Sequence, residues 1–372
     1  MIVRCIALAM LCAVASGQVV HISGPVTQEP DWSLQGTVVA ASADPATTFL
    51  GSPSLLRLDA DTLLLSSDIF GISFNTCIVH RSADGGTTWT NLASITDQFW
   101  STLFLVGGDV YMLGTAGGRS NVRIRKSTDS GATWSSGVDL FSGDYRTAPT
   151  PVLHHAGRYW KGYNIGDTGS GYKNDLCVVS AADDADLMSP ASWTRSTVIS
   201  WDDVGDSAYD GWNEPNCVPG LSNDIAVISV VLEYETGGVG ALLSCTTNGN
   251  TLSFTGHIAL PGGEKKFHVL YMGGVYHAWG TALQPKNQHY NAQRIRNGLS
   301  VATSTNLTDW STSWLIWNPW IDDVGYQYPS VIMEDGTTVR CAIRTAYEYN
   351  GEAPNSVHNN NLITFHELGY EY

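Results

Sequence analysis

A glutamate at the predicted start of a strand is the residue of this chain best placed to act as a base. Glu214 lies in the run Trp-Asn-Glu-Pro-Asn at residues 212–216, just before an apolar stretch. A carboxylate beside a tryptophan at such a point is expected to have a raised pKa and to accept a proton near neutral pH. The alternative is that Glu214 is an exposed glutamate in a turn, without a catalytic role.

Two tyrosines and an aspartate are the other candidates for catalysis. Tyr326 and Tyr328 open a later strand, and either phenol is a candidate nucleophile if a neighbouring glutamate takes its proton. An aromatic wall that stacks on a sugar is the alternative, and the two rings share a face if the strand is extended through both. Asp68, which ends a strand before a loop, is the candidate general acid, with a structural turn role as its alternative.

Cationic side chains beside other predicted strands indicate binding of an anionic substrate group. Arg294, Arg296 and Arg344 would hold a carboxylate or sulfate through paired N–H donors, with surface ion pairs as the alternative. Lys265 and Lys266 open another predicted strand and would bind an anionic substituent on a sugar. The remaining candidates for substrate binding are Ser52, Trp100, Thr102, Arg146, Asn216, Gln327 and His358.

An eight-residue pattern, Ser-x-Asp-x-Gly-x-Thr-Trp, occurs at residues 82–89 and again 45 residues later at 127–134. Aspartate and glycine suit a tight turn, and the threonine and tryptophan then begin the return strand of a hairpin. Looser copies follow at residues 180–193, 244–254 and 304–310. The interval between the two full copies is the length of one four-stranded propeller blade.

Six modules of strand, turn, strand and hairpin predict an all-β fold, a six-bladed β-propeller of four-stranded antiparallel blades. The modules open at residues 51–56, 100–105, 147–153, 214–218, 265–270 and 328–333, and helical periodicity is not evident. A last strand at residues 362–366 is expected to complete a blade begun near the N-terminus and so to close the ring. The innermost strands of a propeller begin at the face where a central pocket opens, so the distant candidates are expected to converge there.

The start of the chain predicts export. Residues 1–17 combine Arg4, a short apolar run and a small-residue exit, as in a secretory signal peptide, and residues 18–372 are expected to form one domain. Without Arg4, 18 basic side chains stand against 35 acidic ones, a net charge of −17, which argues against nucleic acid as a partner. No later segment is long and apolar enough for membrane insertion, so a secreted protein is expected.

Cysteine and histidine spacing predicts neither a metal nor another cofactor. The five cysteines after residue 17 show no Cys-x-x-Cys spacing, and Cys217 and Cys245 are candidates for a disulfide within one module. His154 and His155 are adjacent, and neighbouring residues of a strand point to opposite faces, which excludes them as a ligand pair. The sequence does not predict the oligomeric state.

The two full hairpin motifs, the Glu214 opening, Arg296-Asn297 before a strand and Tyr328-Pro329-Ser330 resemble the Asp boxes and pocket residues of the sialidase superfamily. The resemblance covers most of residues 18–372 and looks closest to secreted BNR-repeat proteins. It implies glycan cleavage by Tyr326 or Tyr328, Glu214 and an aspartate, with the Asp boxes on the outer blade edge and outside catalysis. The first arginine of that family is absent, because its place reads Gly51-Ser52-Pro53.

These observations predict a glycoside hydrolase of sialidase-like type that cleaves an anionic extracellular sugar. In this hypothesis Glu214 activates a tyrosine or a water, and Asp68 protonates the leaving oxygen. A polysaccharide lyase that abstracts a proton beside a uronate carboxylate is one alternative. A sugar-binding propeller without catalysis is the other. The missing first arginine argues against sialic acid as the substrate.

Overall fold

The computed structural model describes residues 34, 36–166, 173–204, 208–233, 237–281, 295–314, 324–334 and 337–370. The expected signal peptide and the candidate Arg294 lie outside these ranges. Within them the chain is built from strands, together with a one-turn α-helix, Trp201–Val204, and a 3₁₀ turn, Pro190–Ser192. No helix in the described ranges has the length and apolar character that crossing a membrane requires.

The strands pair antiparallel into small sheets. One sheet holds β1 (Thr37–Ala41), β23 (Gly325–Met333), β24 (Thr338–Ala346) and β25 (Leu362–Gly369). A second holds β2 (Phe49–Leu50), β3 (Ser54–Arg57), β4 (Leu63–Phe70), β5 (Thr76–Ser82) and β6 (Thr90–Thr96). A third holds β15 (Trp212–Pro219), β16 (Asp224–Val231), β17 (Val239–Thr246) and β18 (Leu252–Ala259). A fourth holds β19 (His268–Met272), β20 (Val275–Gly280), β21 (Ser300–Ser304) and β22 (Ser311–Trp314).

The remaining sheet is twice as large. It holds β7 (Phe99–Val106), β8 (Asp109–Thr115), β9 (Ser120–Ser127), β10 (Val138–Arg146), β11 (Leu153–His155), β12 (Arg158–Ile165), β13 (Asp175–Ala182) and β14 (Trp193–Arg195). Strand β10 pairs first with β9, and its last two residues, Tyr145 and Arg146, pair with β12. The expectation of six separate four-stranded blades is therefore wrong. The described residues form four small sheets and one of eight strands, because β10 pairs with both β9 and β12 and so joins the strands before it to those after it.

Neighbouring sheets pack face to face around a closed ring. Trp160 of β12 shares a buried cluster with Trp212 of β15, and Trp279 of β20 shares another with Val331 of β23. Burial of such large apolar side chains supplies most of the favourable free energy of folding. The result is an all-β propeller of small antiparallel sheets.

The two ends of the described chain meet in one sheet, as expected. Strand β25 lies between β24 and β1, so the strand at residues 37–41 is the outer edge of the sheet that the last three strands form. Phe365 of β25 also packs against Leu63 and Leu65 of β4, in the next sheet. This pairing closes the ring of sheets.

The repeated eight-residue pattern forms identical hairpins, which confirms that expectation. In the first copy, between β5 and β6, Asp84 Oδ1 accepts the Ser82 hydroxyl at 2.8 Å and the backbone N–H of Thr88 at 2.8 Å. Trp89 Nε1 donates to the carbonyl of Gly86 at 3.0 Å. The copy at residues 127–134, between β9 and β10, has the same bonds, and hydrogen bonds from Thr133 lower the pKa of Asp129 to about 2.

The cysteines of the described residues are buried, unpaired thiols. Cys217 lies on β15 and Cys245 on β17, two strands of one sheet separated by β16. The considered disulfide between these two cysteines is therefore not formed. Burial raises the pKa of the Cys245 thiol to about 12, so it behaves as an apolar core side chain.

Candidate active site

A cavity of about 810 Å³ opens at the face where the inner strands begin. Its lining comes from the starts of β7, β15 and β23, the ends of β4, β10, β16 and β24, and the segments that precede β3, β5, β19, β21 and β25. The convergence expected from the sequence is thus observed. The ionisable side chains of this lining, His358 aside, are Asp68, Arg146, Glu214, Glu264, Lys265, Lys266, Arg296, Tyr328 and Arg344.

Tyr328 and Glu214 are in direct contact. The Tyr328 hydroxyl donates a hydrogen bond of 3.0 Å to Glu214 Oε1 across 114 residues of sequence. Burial raises the pKa of Glu214 above its ordinary value, although the Tyr328 hydrogen bond and the charge of Lys266 oppose the rise. Burial and the nearby Glu214 carboxylate also raise the pKa of Tyr328. The phenol therefore keeps its proton at rest, with an acceptor already aligned to take it.

A backbone bulge aims these two side chains into the cavity. Glu214 has φ of 52° and Tyr328 has φ of 54°, in the left-handed region that bulky side chains rarely adopt. At each point two residues of the inner strand face one residue of its partner strand. The N–H of Glu214 donates to Asn164 Oδ1 at 2.8 Å, which holds this bulge in place. Trp100, with φ of 46°, occupies a third bulge of the same kind.

Asp68 lies at the end of β4 with 1% of its surface exposed. Its two carboxyl oxygens accept the backbone N–H of Trp100 at 3.1 and 3.2 Å. Burial raises the pKa of Asp68 well above its ordinary value, against the opposing effects of that hydrogen bond and of Arg344. Gly51 faces this carboxyl, and a Cβ at position 51 would lie 2.7 Å from Asp68 Cβ, so an arginine has no room there.

Two arginines flank the Tyr328 ring. The Arg344 guanidinium carbon lies 5.0 Å from the Tyr328 ring centre and 4.5 Å from that of Phe70. Arg344 is 4% exposed, donates to the carbonyl of His358 and has no hydrogen-bond partner at Nε among the described residues. Arg296 lies 5.9 Å from the Tyr328 ring centre and donates to Gln327 Oε1 at 2.6 Å. Both cations are placed to receive an anionic group.

Two buried lysines complete the cationic side of the cavity. Lys265 forms an ion pair with Glu264, which the sequence analysis did not single out although it precedes the lysine pair. Lys266 donates to the carbonyl of Pro329, and burial lowers its pKa to about 7 against the opposing charge of Glu214. The five cations of the lining, Arg146, Lys265, Lys266, Arg296 and Arg344, face three carboxyls, Asp68, Glu214 and Glu264. A cationic pocket thus lies within an acidic protein.

The other predicted residues divide into two groups. Ser52, Trp100, Arg146 and His358 line the cavity, and the Arg146 guanidinium lies 5.9 Å from the Trp100 ring centre. Thr102, Asn216, Gln327 and Tyr326 are outside the lining, which corrects their assignment to direct contact with substrate or catalysis.

Each residue of the second group has a structural partner instead. Tyr326 packs in the core beside Trp279, because the bulge at Tyr328 ends the extended geometry that would have put the two phenols on one face. Gln327 donates to the carbonyl of Val357 at 2.6 Å. Asn216 donates to the carbonyl of Phe267 at 3.3 Å.

A polar layer lies beneath the pocket, and the sequence reasoning missed its central cation. Thr102 donates to the carbonyl of Thr150 at 2.7 Å and accepts from Lys161 Nζ at 2.9 Å. Lys161 is fully buried and donates as well to the carbonyls of Ala148 and Thr150, and burial lowers its pKa to about 7. The sequence signal that could have revealed Lys161 was a lysine among the aromatic residues of β12. These hydrogen bonds tie β7 and β12 to the segment between β10 and β11.

The fold is shared with solved structures of low sequence identity. No protein-family model matches the chain, and neither does any curated protein sequence. A Dyadobacter fermentans protein of unknown function is 13% identical with a TM-score of 0.58, over 89% of this chain and 96% of its own.

Two fungal enzymes give similar values. An α-L-arabinanase of Penicillium chrysogenum, complexed with arabinobiose, is 12% identical with a TM-score of 0.58, over 90% of this chain and 98% of its own. A mutant α-L-arabinofuranosidase of Fusarium graminearum, in complex with an iminosugar inhibitor, is 14% identical with a TM-score of 0.56, over 90% of this chain and 96% of its own. These likenesses show a common fold.

Proposed function

We propose that this protein is a glycoside hydrolase that cleaves an anionic sugar from a glycan, with Tyr328, Glu214 and Asp68 as its catalytic residues. The observation that carries the proposal is the 3.0 Å hydrogen bond from Tyr328 to Glu214 inside a cavity that Asp68 also lines. The expected signal peptide adds the proposal that the glycan is extracellular.

The first step is attack on the anomeric carbon. The Tyr328 oxygen forms a bond to that carbon while its proton passes to Glu214 Oε1, the atom to which the hydroxyl already donates. The bond from the anomeric carbon to the leaving oxygen breaks, and Asp68 gives that oxygen a proton. Burial raises the pKa of Asp68 well above its ordinary value, which favours the protonated form that this task needs, while the Tyr328 hydrogen bond and the charge of Lys266 oppose the rise in the pKa of Glu214, the proton acceptor.

The second step releases the sugar. Asp68, now ionised, takes a proton from a water, and the water oxygen bonds to the anomeric carbon. The bond to the Tyr328 oxygen breaks, and Glu214 returns the proton to the phenol. Each catalytic group then has its starting protonation, so the cycle closes without a cofactor.

The cations support an anionic sugar. Arg344 and Arg296 flank Tyr328, and the buried Nε of Arg344, which has no hydrogen-bond partner among the described residues, can donate to one further acceptor, such as a carboxylate or sulfate oxygen. The arabinanase and arabinofuranosidase of the same fold support a carbohydrate substrate in general terms. The sialidase-like placement of a tyrosine beside a glutamate supports this mechanism, while the lack of room for an arginine at Gly51 argues against sialic acid.

The test begins with a screen on sialylated, sulfated and uronic-acid glycans. Glu214→Gln and Tyr328→Phe should each lower kcat on the best substrate by at least about 100-fold while its binding, measured by calorimetry, stays within about threefold. Glu367→Gln, on the outward face of β25, is the matched control and should keep full activity.

Two outcomes would overturn the proposal. Wild-type protein that binds these glycans without turning any of them over would be a lectin. Products with an unsaturated ring, detected by ultraviolet absorbance, would instead identify a lyase.

A further inference from the structure

A cluster of aromatic rings forms one side of the cavity and reaches its rim. Phe70, Phe74, Phe99 and Trp100 all line the cavity, and their ring centres follow one another at 6.2, 5.9 and 5.0 Å. We call these four residues the aromatic wall. The outermost ring is Phe74, in the loop between β4 and β5.

The rim of the aromatic wall is open to solvent. Phe74 is 50% exposed and Ile72 of the same loop is 74% exposed, among the largest exposures of an apolar side chain in the described residues. An exposed aromatic ring at the mouth of a polar pocket offers a flat apolar face to the C–H face of a sugar ring. Elsewhere on the described surface, exposed apolar side chains such as Leu221 lie away from the cavity.

Two glycines of the turn between β8 and β9 lie behind Phe74. A Cβ at Gly118 would lie 2.8 Å from the Phe74 Cβ, so only glycine allows the loop to come this close. A Cβ at Gly117 would lie 3.4 Å from the Phe74 carbonyl oxygen, an ordinary contact. The turn between β8 and β9 therefore supports Phe74 from one side, and half of the Phe74 surface remains exposed to solvent.

The aromatic wall adjoins Asp68 on two sides. Asp68 precedes Phe70 by two residues on β4, so both side chains lie on one face of the strand. Asp68 also accepts the backbone N–H of Trp100. Since Asp68 is the proposed donor of a proton to the leaving oxygen, the group that departs lies beside the aromatic wall.

We propose that Phe74 and the aromatic wall form a binding subsite for a sugar ring on the leaving-group side of the cleaved bond. The substrate is then a disaccharide or longer glycan in which a sugar, rather than a small alcohol, follows the anionic residue. This inference rests on the proposed function, because Asp68 marks the leaving-group side only if it is the acid.

The test compares two substrates that share one terminal sugar. These are the anionic disaccharide cleaved fastest in the screen and the methyl glycoside of its terminal sugar. Phe74→Ala should lower kcat/KM about tenfold on the disaccharide and less than twofold on the methyl glycoside. Gly118→Ala should act in the same direction by displacing Phe74, whereas Gly117→Ala and Leu221→Ala should leave both values unchanged.

The outcomes separate this inference from the proposed function. Equal losses on the two substrates, or no loss on either, would overturn the subsite while hydrolysis stands. If no glycoside is cleaved at all, the proposed function fails, and calorimetry then decides with the anionic disaccharide of the screened sugars that wild type binds most tightly and with the methyl glycoside of its terminal sugar. Binding of the disaccharide that Phe74→Ala does not weaken would overturn the subsite in that case too.

Discussion

Asp68 and Glu214 are two buried carboxyls in one cavity with different partners. Glu214 accepts a hydrogen bond from the Tyr328 hydroxyl and is near the charge of Lys266. Asp68 accepts a hydrogen bond from a backbone N–H. Burial raises the pKa of both, and the rise is larger at Asp68. Carboxyls whose surroundings move their pKa values apart are suited to opposite roles, one as acid and one as base.

Asp68→Asn should stabilise the fold at alkaline pH. The raised folded-state pKa means that the carboxyl's contribution to stability is complete below its ordinary pKa and is lost as pH rises through the folded value. An asparagine carries no charge to bury, and its oxygen can still accept the N–H of Trp100. At pH 8 the variant should unfold about 2 °C or more above wild type, by differential scanning calorimetry.

At pH 3.5 the gap between Asp68→Asn and wild type should close, because the wild-type carboxyl is then largely protonated in both the folded and unfolded states. A variant that unfolds below wild type at pH 8 would show that the ionised carboxylate stabilises the fold. Such a result would argue against Asp68 as an acid.

At the residue scale the sequence predicted much of the pocket. Glu214, Tyr328, Asp68 and the cations could be found because they are polar or charged side chains near the starts or ends of predicted apolar strands. Glu264 and the three phenylalanines of the aromatic wall were missed, whereas its Trp100 was predicted, since nothing in the sequence alone distinguishes a pocket phenylalanine from a core one. The sequence also placed Tyr326 in the cavity, but the bulge in β23 puts its side chain in the core.

The bulged strand opening is the element that makes the site. β7, β15 and β23 each carry a residue at positive φ within their first four residues, namely Trp100, Glu214 and Tyr328, and each such side chain lines the cavity. Backbone strain of this kind costs about 1–3 kcal/mol and persists where the surrounding structure enforces it. The same local distortion at three sites points to function rather than to accident.

The bulge predicts an inverted order of stability at position 214. In a regular strand, glycine is about 0.5–1 kcal/mol less stable than alanine. At φ of 52° the order should reverse, with Glu214→Gly about 1 kcal/mol more stable than Glu214→Ala. Denaturant unfolding of the two variants measures the difference, and both lack Glu214, so lost contacts cancel. The usual order, alanine above glycine, would show that this backbone strain is absent in solution.

Reasoning from the two-residue repeat of an extended strand could not predict the bulges. It assumes that alternate residues share a face, which holds for an unbroken extended strand. Two residues of β23 oppose one of β24 after Gln327, so the phase changes and Tyr328 enters the cavity while Tyr326 enters the core. The prolines that follow Glu214 and Tyr328 were a sequence hint, because proline sits readily at a bulge.

At the scale of the whole molecule, closure of the ring brings residues far apart in sequence into one cavity. The first hairpin motif also takes part in closure, since Trp89 lies 5.5 Å from the Phe365 ring of the last strand. Gly86 of this motif has φ of 98°, and a Cβ there would lie 2.1 Å from the Phe365 ring.

Gly86→Ala should therefore damage the closed ring much more than Gly85→Ala. Both positions have positive φ, but a Cβ at Gly85 meets nothing within 4 Å, so that variant carries backbone strain alone. The additional clash should make Gly86→Ala less stable than its neighbour by about 1–3 kcal/mol. Thermal unfolding followed by circular dichroism measures both, and equal transition temperatures would show that this hairpin does not pack against the closing strand.

The sequence by itself determined the all-β class, the hairpins at residues 82–89 and 127–134, the strand that unites the two ends, and most of the polar residues of the cavity. These follow from local turn chemistry and from apolar runs, which depend on neighbours along the chain. Only the tertiary structure decided that β10 joins two units into one sheet, that Tyr328 rather than Tyr326 meets Glu214, and that Phe74 stands open at the rim. Those outcomes depend on strand register and on packing between sheets, where contacts span tens to hundreds of residues and no local pattern records them.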